Sequence, residues 1–272
     1  MLKTRVITAL LLLALLLALL SYQSFTAIAL VAIVFFAAAA WESFRLFGSK
    51  YPVIGAALWS AGLAYIAFKG VVADAIALFA ICVAIWAARL APSLAFGLPP
   101  FGGIANRLLN GIYVIAVLGC FAAILALYRH SALYLFSVFA IVWIADIGAY
   151  FSGKAFGKHK LAPSISPGKS WEGAFGGWLA VMIFFAATTR FPNLADTFAS
   201  KLLVRWGWGG LFAGLSLMVA ASIVGDLFES QLKRRAGIKD SSNLLPGHGG
   251  VLDRIDALIP ALPLAVLIDF WL

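Results

Sequence analysis

The chain has 272 residues, of which 64% are hydrophobic and only 11% are charged, and it carries a net charge of +9. Its mean hydropathy is +1.02. Because a soluble domain carries about 25% charged residues, this composition excludes a soluble globular domain, a disordered chain and a coiled coil. A basic excess in a soluble protein would suggest a nucleic-acid partner, but in a membrane protein basic residues collect in the cytoplasmic loops. The sequence therefore predicts a polytopic membrane protein with no nucleic-acid partner.

Nine apolar stretches predict membrane-spanning helices, since one span needs about 20 largely apolar residues. They lie near residues 5–20, 25–41, 52–68, 72–88, 111–128, 132–151, 172–189, 208–225 and 255–272. Most of the 20 basic residues then fall in links on the same side as the N-terminus, which the positive-inside rule assigns to the cytoplasm. The predicted fold class is an all-α transmembrane bundle of about nine spanning helices with a cytoplasmic N-terminus.

Polar residues that could carry chemistry concentrate in the second half of the chain. We predict one integral membrane domain over residues 1–272, with 1–110 as a helical scaffold and 111–272 as the catalytic part. The catalytic part contains two long cytoplasmic loops, near 152–171 and 226–254. Within the scaffold, Glu42 and Arg45 stand three residues apart on a helix and predict a surface ion pair.

The densest polar stretch covers residues 226–256. If the eighth helix continues beyond the membrane, one of its faces carries four polar residues at helical spacing, namely Asp226, Glu229, Ser230 and Lys233. Asp253 and Asp256 share a face at the start of the last helix. Carboxylates from two helices form an oxygen-rich site suited to Mg²⁺, which substrate phosphates usually complete. We predict one or two divalent ions held by Asp226, Asp253 and Asp256.

Cations and glycines surround these acids. Lys233, Arg234 and Lys239 supply the positive charge that a triphosphate requires, and the run Pro246-Gly-His248-Gly249-Gly250 offers an anion close backbone approach and free N–H groups. An ordinary basic loop, whose acids pair with its own cations, accounts for any one of these residues. It does not account for the whole set, because carboxylates at the mouth of membrane helices are expensive and usually functional.

A second constellation joins the sixth and seventh predicted helices. Asp146 lies near the end of the sixth helix, where a carboxylate should face the bundle interior or a cation such as Lys154 or Lys169. The run Ser166-Pro-Gly-Lys169-Ser170 opens the seventh helix, and a helix N-terminus with these residue types can bind an anion. The Walker spacing is absent. A plain helix start with Ser170 as its N-cap fits this segment equally well.

The C-terminal stretch resembles the signature of the phosphatidate cytidylyltransferases (CDP-diacylglycerol synthases). Four segments carry the resemblance, in order Ser230 with Lys233-Arg234, then Lys239-Asp240, then His248-Gly249-Gly250, and last Asp253-Arg254-Ile255-Asp256. The segment 166–173 also resembles a second recurrent motif of that family. The resemblance covers about residues 140–260, and a signature of this length is specific.

The resemblance implies that CTP and phosphatidic acid react, with Mg²⁺, to give CDP-diacylglycerol and pyrophosphate. It implies catalytic roles for Asp226, Lys233, Arg234, Asp253 and Asp256. The substrate-binding residues that it implies are Asp146, Ser166, Lys169, Ser170, Ser230, Lys239, Asp240, His248, Gly249, Gly250 and Arg254. It also implies a multi-pass protein of the bacterial inner membrane whose active site faces the cytoplasm, and the abundance of Ala and Gly is compatible with a homodimer.

Three other functions stay open on the sequence. The first is a cytidylyltransferase for another lipid phosphate, such as a polyprenyl or ether-lipid phosphate. The second is an ion-coupled transporter that uses Asp146 and Asp226, although the charged groups gather at one membrane face and no inverted repeat is visible. The third is a lipid-binding relative without catalysis, which the intact set of acids disfavours.

Overall fold

The computed structural model describes residues 2–69 and 76–272, and almost all of its regular structure is helical. The helices are α1 (Leu2–Tyr22), α2 (Phe25–Leu46), α3 (Pro52–Phe68), α4 (Ile76–Ile85, continued by a π-helical turn at Trp86–Leu90), α5 (Ser93–Phe96), α6 (Gly103–His130), α7 (Ala132–Phe156), α8 (Trp171–Thr188), α9 (Phe198–Arg235), α10 (Leu252–Ile255) and α11 (Leu258–Asp269). A short 3₁₀ turn (Pro192–Leu194) precedes α9, and two strands, β1 (Lys160–Ala162) and β2 (Ser166–Ser170), lie between α7 and α8.

In the described part of the chain, six helical segments are long and apolar enough to cross a membrane. They are Phe25–Leu46, Ile76–Phe96, Gly103–His130, Ala132–Phe156, Trp171–Thr188 and Phe198–Arg235, and three shorter apolar helices cover Val6–Tyr22, Pro52–Phe68 and Leu258–Asp269. Every predicted span overlaps one of these nine helices, although residues 72–75 of the fourth lie outside the described residues. A helical membrane protein is thus supported, while nine spans and a cytoplasmic N-terminus stay predictions.

Helix α6 forms the centre of the bundle and packs against α2, α4, α7 and α11. Its buried face is continuous, with Phe121 meeting Phe36 of α2 edge to face at 5.5 Å between ring centroids. At the end of α6 that is predicted to face the cytoplasm, Tyr113 is fully buried and packs against Phe228 of α9. The N-terminal helices and the C-terminal helices therefore share one core, because α6 contacts both sets.

Helices α7 and α8 pack with almost no gap, since small residues line the seam between them. A Cβ atom added at Gly148 of α7 would lie 2.8 Å from Ala180 Cβ and 3.0 Å from Gly177 Cα. The hairpin β1–β2 joins the two helices, with Lys160 opposite Ser170 and Ala162 opposite Ser166. The sequence did not predict these strands, which form the short connection between the closely packed helices α7 and α8.

Two breaks shape the C-terminal half. Helix α9 is interrupted at Gly207, whose φ of 66° and ψ of −169° are not helical, and beyond this residue it runs without interruption to Arg235. The second is an interruption of the helical hydrogen bonding at Asp256 and Ala257, which separates α10 from α11 near the start of the last predicted span, 255–272. Both residues keep right-handed helical φ and ψ angles, so Asp253 and Asp256 keep the helical spacing that the sequence predicts.

The α7–α8 seam generates a stability prediction. Gly148→Ala should destabilise the protein by about 1–3 kcal/mol, because the added methyl group overpacks the seam, and it should lower the unfolding temperature by several degrees in detergent. Gly62→Ala on α3 is the matched control, since no atom lies within 4 Å of its added Cβ. An equal effect of the two substitutions would contradict the close packing of α7 on α8.

Candidate active site

A cavity of about 490 Å³ opens between α7, β2, α8 and α9, and we call it the helix cavity. Its walls combine apolar helix residues, such as Ala149, Val219 and Ile223, with a few polar groups. Those polar groups include five predicted site residues, Asp146, Ser166, Lys169, Ser170 and Asp226. The structure therefore brings Asp146 and the segment 166–170 together with Asp226, the first aspartate of the polar stretch 226–256.

The charged groups of the helix cavity neutralise one another. Lys169 of β2 forms an ion pair with Asp226 of α9, and Ser230 Oγ donates a hydrogen bond to Asp226 Oδ1 at 3.4 Å. Asp146 lies close enough to Asp226, Lys169 and Arg254 to feel their charges. The sequence predicted Lys169 as a possible partner of Asp146, whereas the structure pairs it with Asp226. Ser170 Oγ accepts a hydrogen bond from Gly173 N–H at 3.1 Å, which confirms its interpretation as the N-cap of α8.

A second cavity, of about 580 Å³, lies in the loop between α9 and α10, and we call it the loop cavity. Five predicted site residues line it, namely Lys239, Asp240, His248, Gly249 and Arg254, together with Asn243, Leu245, Pro246 and Gly247. Arg254 lines the loop cavity, and it lies near enough to Asp146 of the helix cavity for their charges to interact. The predicted site residues are therefore divided between two neighbouring cavities with different walls.

Lys233 lies between two carboxylates on different helices. It forms ion pairs with Glu229, one turn earlier on α9, and with Asp253 of α10, at 2.6 Å. The side chain of Lys233 is 11% exposed and that of Glu229 is fully buried. The ion pairs offset the free-energy cost of burying these charges. The neighbouring Arg234 is exposed and donates a hydrogen bond to Ile238 O at 3.3 Å.

Asp253 organises the end of the loop. Its Oδ2 accepts hydrogen bonds from Ser241 N–H at 2.8 Å, from Gly250 N–H at 2.7 Å and from Ser241 Oγ at 2.9 Å. Burial acts to raise the pKa of Asp253, but the hydrogen bonds from Lys233 and Gly250 outweigh it and hold the pKa below its ordinary value. Gly250 N–H and His248 N–H, which donates to Leu245 O at 2.8 Å, are thus already bonded within the loop. They are not the free anion donors that the sequence suggested.

The three aspartates predicted to hold the metal do not converge on one point. In residues 2–69 and 76–272 no three His, Cys, Asp or Glu side chains are arranged to share a metal ion, and Asp253 is turned toward Lys233 and the loop. Asp226 and Asp256 do lie on contacting segments, because a Cβ atom added at Gly225, next to Asp226, would collide with Asp256 O. Two interacting carboxylates of this kind suit one Mg²⁺ whose other ligands are phosphate oxygens. The metal role of Asp253 stays a prediction.

Sequence reasoning misjudged Glu42. This residue of α2 is fully buried and forms no surface pair with Arg45, which is exposed and lies over the ring of Trp41 at 4.5 Å. The Glu42 carboxylate instead accepts hydrogen bonds from the loop before α10, about 200 residues further along the chain. The signal that could have revealed this role was a carboxylate placed at the end of a long apolar helix, where a charge is costly unless it is functional.

The chain belongs to the cytidylyltransferase family, whose sequence profile matches residues 3–271. It is 41% identical over 271 residues to the phosphatidate cytidylyltransferase of Pseudomonas aeruginosa, and this match covers 97% of the chain and 95% of that relative. Over 134 residues it is 49% identical to the phosphatidate cytidylyltransferase of Haemophilus influenzae, covering 49% of the chain and 44% of the relative. The Mycobacterium bovis enzyme of the same name is 40% identical over 141 residues, which are 52% of the chain and 42% of that relative.

The position of Lys233 generates a prediction about stability. Lys233→Met should destabilise the protein by about 3–5 kcal/mol, because it leaves the buried Glu229 carboxylate without its cation. Lys233→Met combined with Glu229→Gln should recover part of this loss, since the second change removes the uncompensated charge. Thermal or denaturant unfolding of the purified protein in detergent measures both effects.

The matched control is Arg234→Met, one residue further along the same helix. Because Arg234 is exposed, its replacement should change stability by no more than about 0.5 kcal/mol. If Lys233→Met and Arg234→Met unfold alike, the buried ion-pair arrangement is wrong.

Proposed function

We infer that this chain transfers CMP from CTP to phosphatidic acid, which yields CDP-diacylglycerol and pyrophosphate. The observation that carries this conclusion is the similarity over nearly the whole chain to an enzyme named phosphatidate cytidylyltransferase. The two neighbouring cavities support it, because they contain ten of the residues that the family resemblance implicates. Neither of these two observations favours the alternative of an ion-coupled transporter.

We propose that each cavity receives one substrate. The helix cavity lies between candidate membrane spans, and its wall combines many apolar residues with the cation Lys169. Such a wall suits a phosphate group attached to acyl chains. The loop cavity is walled chiefly by polar and glycine residues, including the cations Lys239 and Arg254, and it suits a soluble nucleotide triphosphate. Arg254, which acts on both spaces, lies where the two phosphate groups would meet.

The transfer needs no general base. A phosphate oxygen of phosphatidic acid, already anionic, attacks the α-phosphorus of CTP; the new P–O bond forms as the bond between the α-phosphorus and its bridging oxygen breaks, and pyrophosphate leaves with the electron pair. Catalysis of this kind depends on positioning and on charge neutralisation. Lys169, Lys239 and Arg254 are placed to reduce the repulsion between the two anionic substrates.

We propose that Asp226 and Asp256 hold a divalent cation together with phosphate oxygens of the substrate. Magnesium bound in this way would neutralise part of the triphosphate charge. If Asp226 binds the metal ion, Lys169 loses its ion-pair partner and can pair with a substrate phosphate instead. Asp253 acts through Lys233 and the loop backbone, since its hydrogen bonds are all directed there.

The cellular setting follows from the same argument. We propose a bacterial inner-membrane location with both cavities open to the cytoplasm, because CTP is supplied there and the basic loops are concentrated on that side.

Purified protein in detergent or liposomes should convert labelled CTP and phosphatidic acid into CDP-diacylglycerol and pyrophosphate. EDTA should abolish this activity and added Mg²⁺ should restore it, because phosphate charge must be neutralised for the attack. Thin-layer separation of the lipid product and a pyrophosphate assay measure the outcome. Absence of both products from folded protein would contradict the proposed reaction, and activity that resists EDTA would contradict the metal proposal alone.

Asp226→Asn should reduce turnover by at least about a hundredfold and raise the Mg²⁺ concentration for half-maximal rate, because it removes a proposed metal ligand. Asp196→Asn is the control, since this carboxylate accepts a hydrogen bond from Ser131 at the start of α7, about 20 Å along that helix from Asp146. A comparable loss in both variants, or an unchanged Mg²⁺ dependence in Asp226→Asn, would argue against the metal role.

A further inference from the structure

The carboxylate of Glu42 is completely enclosed and yet fully hydrogen-bonded. Its Oε1 accepts from Ser242 Oγ at 2.5 Å and from Val251 N–H at 3.0 Å. Its Oε2 accepts from Leu252 N–H at 2.6 Å and lies 3.1 Å from Ser241 Oγ, whose single proton it shares with Asp253 Oδ2. Each oxygen thus lies within hydrogen-bond distance of one backbone N–H and one serine hydroxyl. All four donors are neutral, and they come from the two ends of one loop.

These bonds attach the loop to a distant helix at both of its ends. Ser241 and Ser242 precede the segment 243–249 that lines the loop cavity, and Val251 and Leu252 follow it. Glu42 therefore clamps the base of the segment, and at its tip Pro246 O accepts a hydrogen bond from Thr8 Oγ of α1 at 2.9 Å. The Leu252 N–H belongs to the first residue of α10, so the bond also fixes the start of the helix that carries Asp253 and Arg254.

The packing around Gly250 shows how closely the clamp fits. A Cβ atom at this position would collide with Ser241 Oγ and with the Glu42 carboxylate. The second glycine of the His248-Gly249-Gly250 run is thus required by the presence of Glu42. Ser241 Oγ in turn lies within hydrogen-bond distance of both Glu42 and Asp253, which links the clamp to the Lys233 ion pairs.

We propose that Glu42 is a positioning residue for the nucleotide site: it holds the loop cavity in the shape that receives the CTP phosphates, without touching the substrate. This inference rests on the proposed function, and specifically on the assignment of CTP to the loop cavity. It places a determinant of nucleotide affinity in α2, within the half of the chain that sequence reasoning regarded as scaffold.

The decisive variant is Glu42→Gln, which keeps the size of the side chain and removes its charge. In the glutamine side chain an NH₂ group replaces one of the two carboxylate oxygens. Either Val251 N–H or Leu252 N–H then faces this donor in place of an acceptor. We expect KM for CTP to rise about tenfold or more, because a buried donor loses its acceptor, while KM for phosphatidic acid changes less than twofold. Glu42→Asp keeps two acceptor oxygens on a shorter side chain and should restore part of the CTP affinity.

The readouts separate positioning from general stability and from failure of the proposed function. Unfolding temperature with and without CTP is measured alongside both KM values, and Asp196→Asn again serves as the control. Unchanged KM for CTP in folded Glu42→Gln, or equal rises for the two substrates, would overturn the proposal while leaving the reaction intact. An inactive wild-type protein would instead overturn the proposed function.

A milder variant covers the case in which Glu42→Gln does not fold. Ser242→Ala removes one of the four hydrogen bonds to Glu42 and keeps both backbone donors to it, and it also removes the acceptor of Leu244 N–H. It should raise KM for CTP about two- to fivefold with KM for phosphatidic acid unchanged. If Ser242→Ala binds CTP as the wild type does, Glu42 is not positioning the loop for the nucleotide.

Discussion

The site depends on one constraint, namely that a buried charge must be matched by a partner or by hydrogen bonds within an apolar bundle. This requirement is met by two ion pairs that share Lys233: one with Glu229 on the same helix, α9, and one with Asp253 of α10. Asp253 extends the network to Ser241, and Ser241 extends it to Glu42 on α2. The network joins three helices and one loop, and it holds both ends of the segment that lines the loop cavity. Removing any one member leaves another charge or donor uncompensated.

The two cavities divide the chemical problem of joining a lipid to a nucleotide. Phosphatidic acid cannot leave the bilayer easily and CTP cannot enter it, so their phosphates must meet at the edge of the helices. The helix cavity has walls from candidate spans, whereas the loop cavity has walls from a polar connection. The ion pair of Lys169 with Asp226 keeps the first space close to neutral before substrates bind. Binding of an anionic phosphate and a cation together would preserve that balance.

Much of the site could be predicted from sequence because its residues are close in sequence or follow helical spacing. Asp226, Ser230 and Lys233 share a face of α9 as predicted, and Ser170 caps α8. The errors concern groups whose roles depend on distant partners. Glu42 has a plausible local partner in Arg45, and only the fold shows that its real donors lie some 200 residues away. Likewise, Asp253 and Asp256 follow helical spacing, but only the fold shows that Asp253 is bonded to Lys233 of α9 and to the loop.

The attachment of the last loop to α2 also bears on how the protein is made. Helix α2 leaves the ribosome long before residues 241–252, so its glutamate must wait for its hydrogen-bond donors until nearly the whole chain has been synthesised. Contacts of such long sequence separation form late in folding. The loop cavity, which we propose as the nucleotide site, can therefore take its final shape only after residues 241–252 have been synthesised.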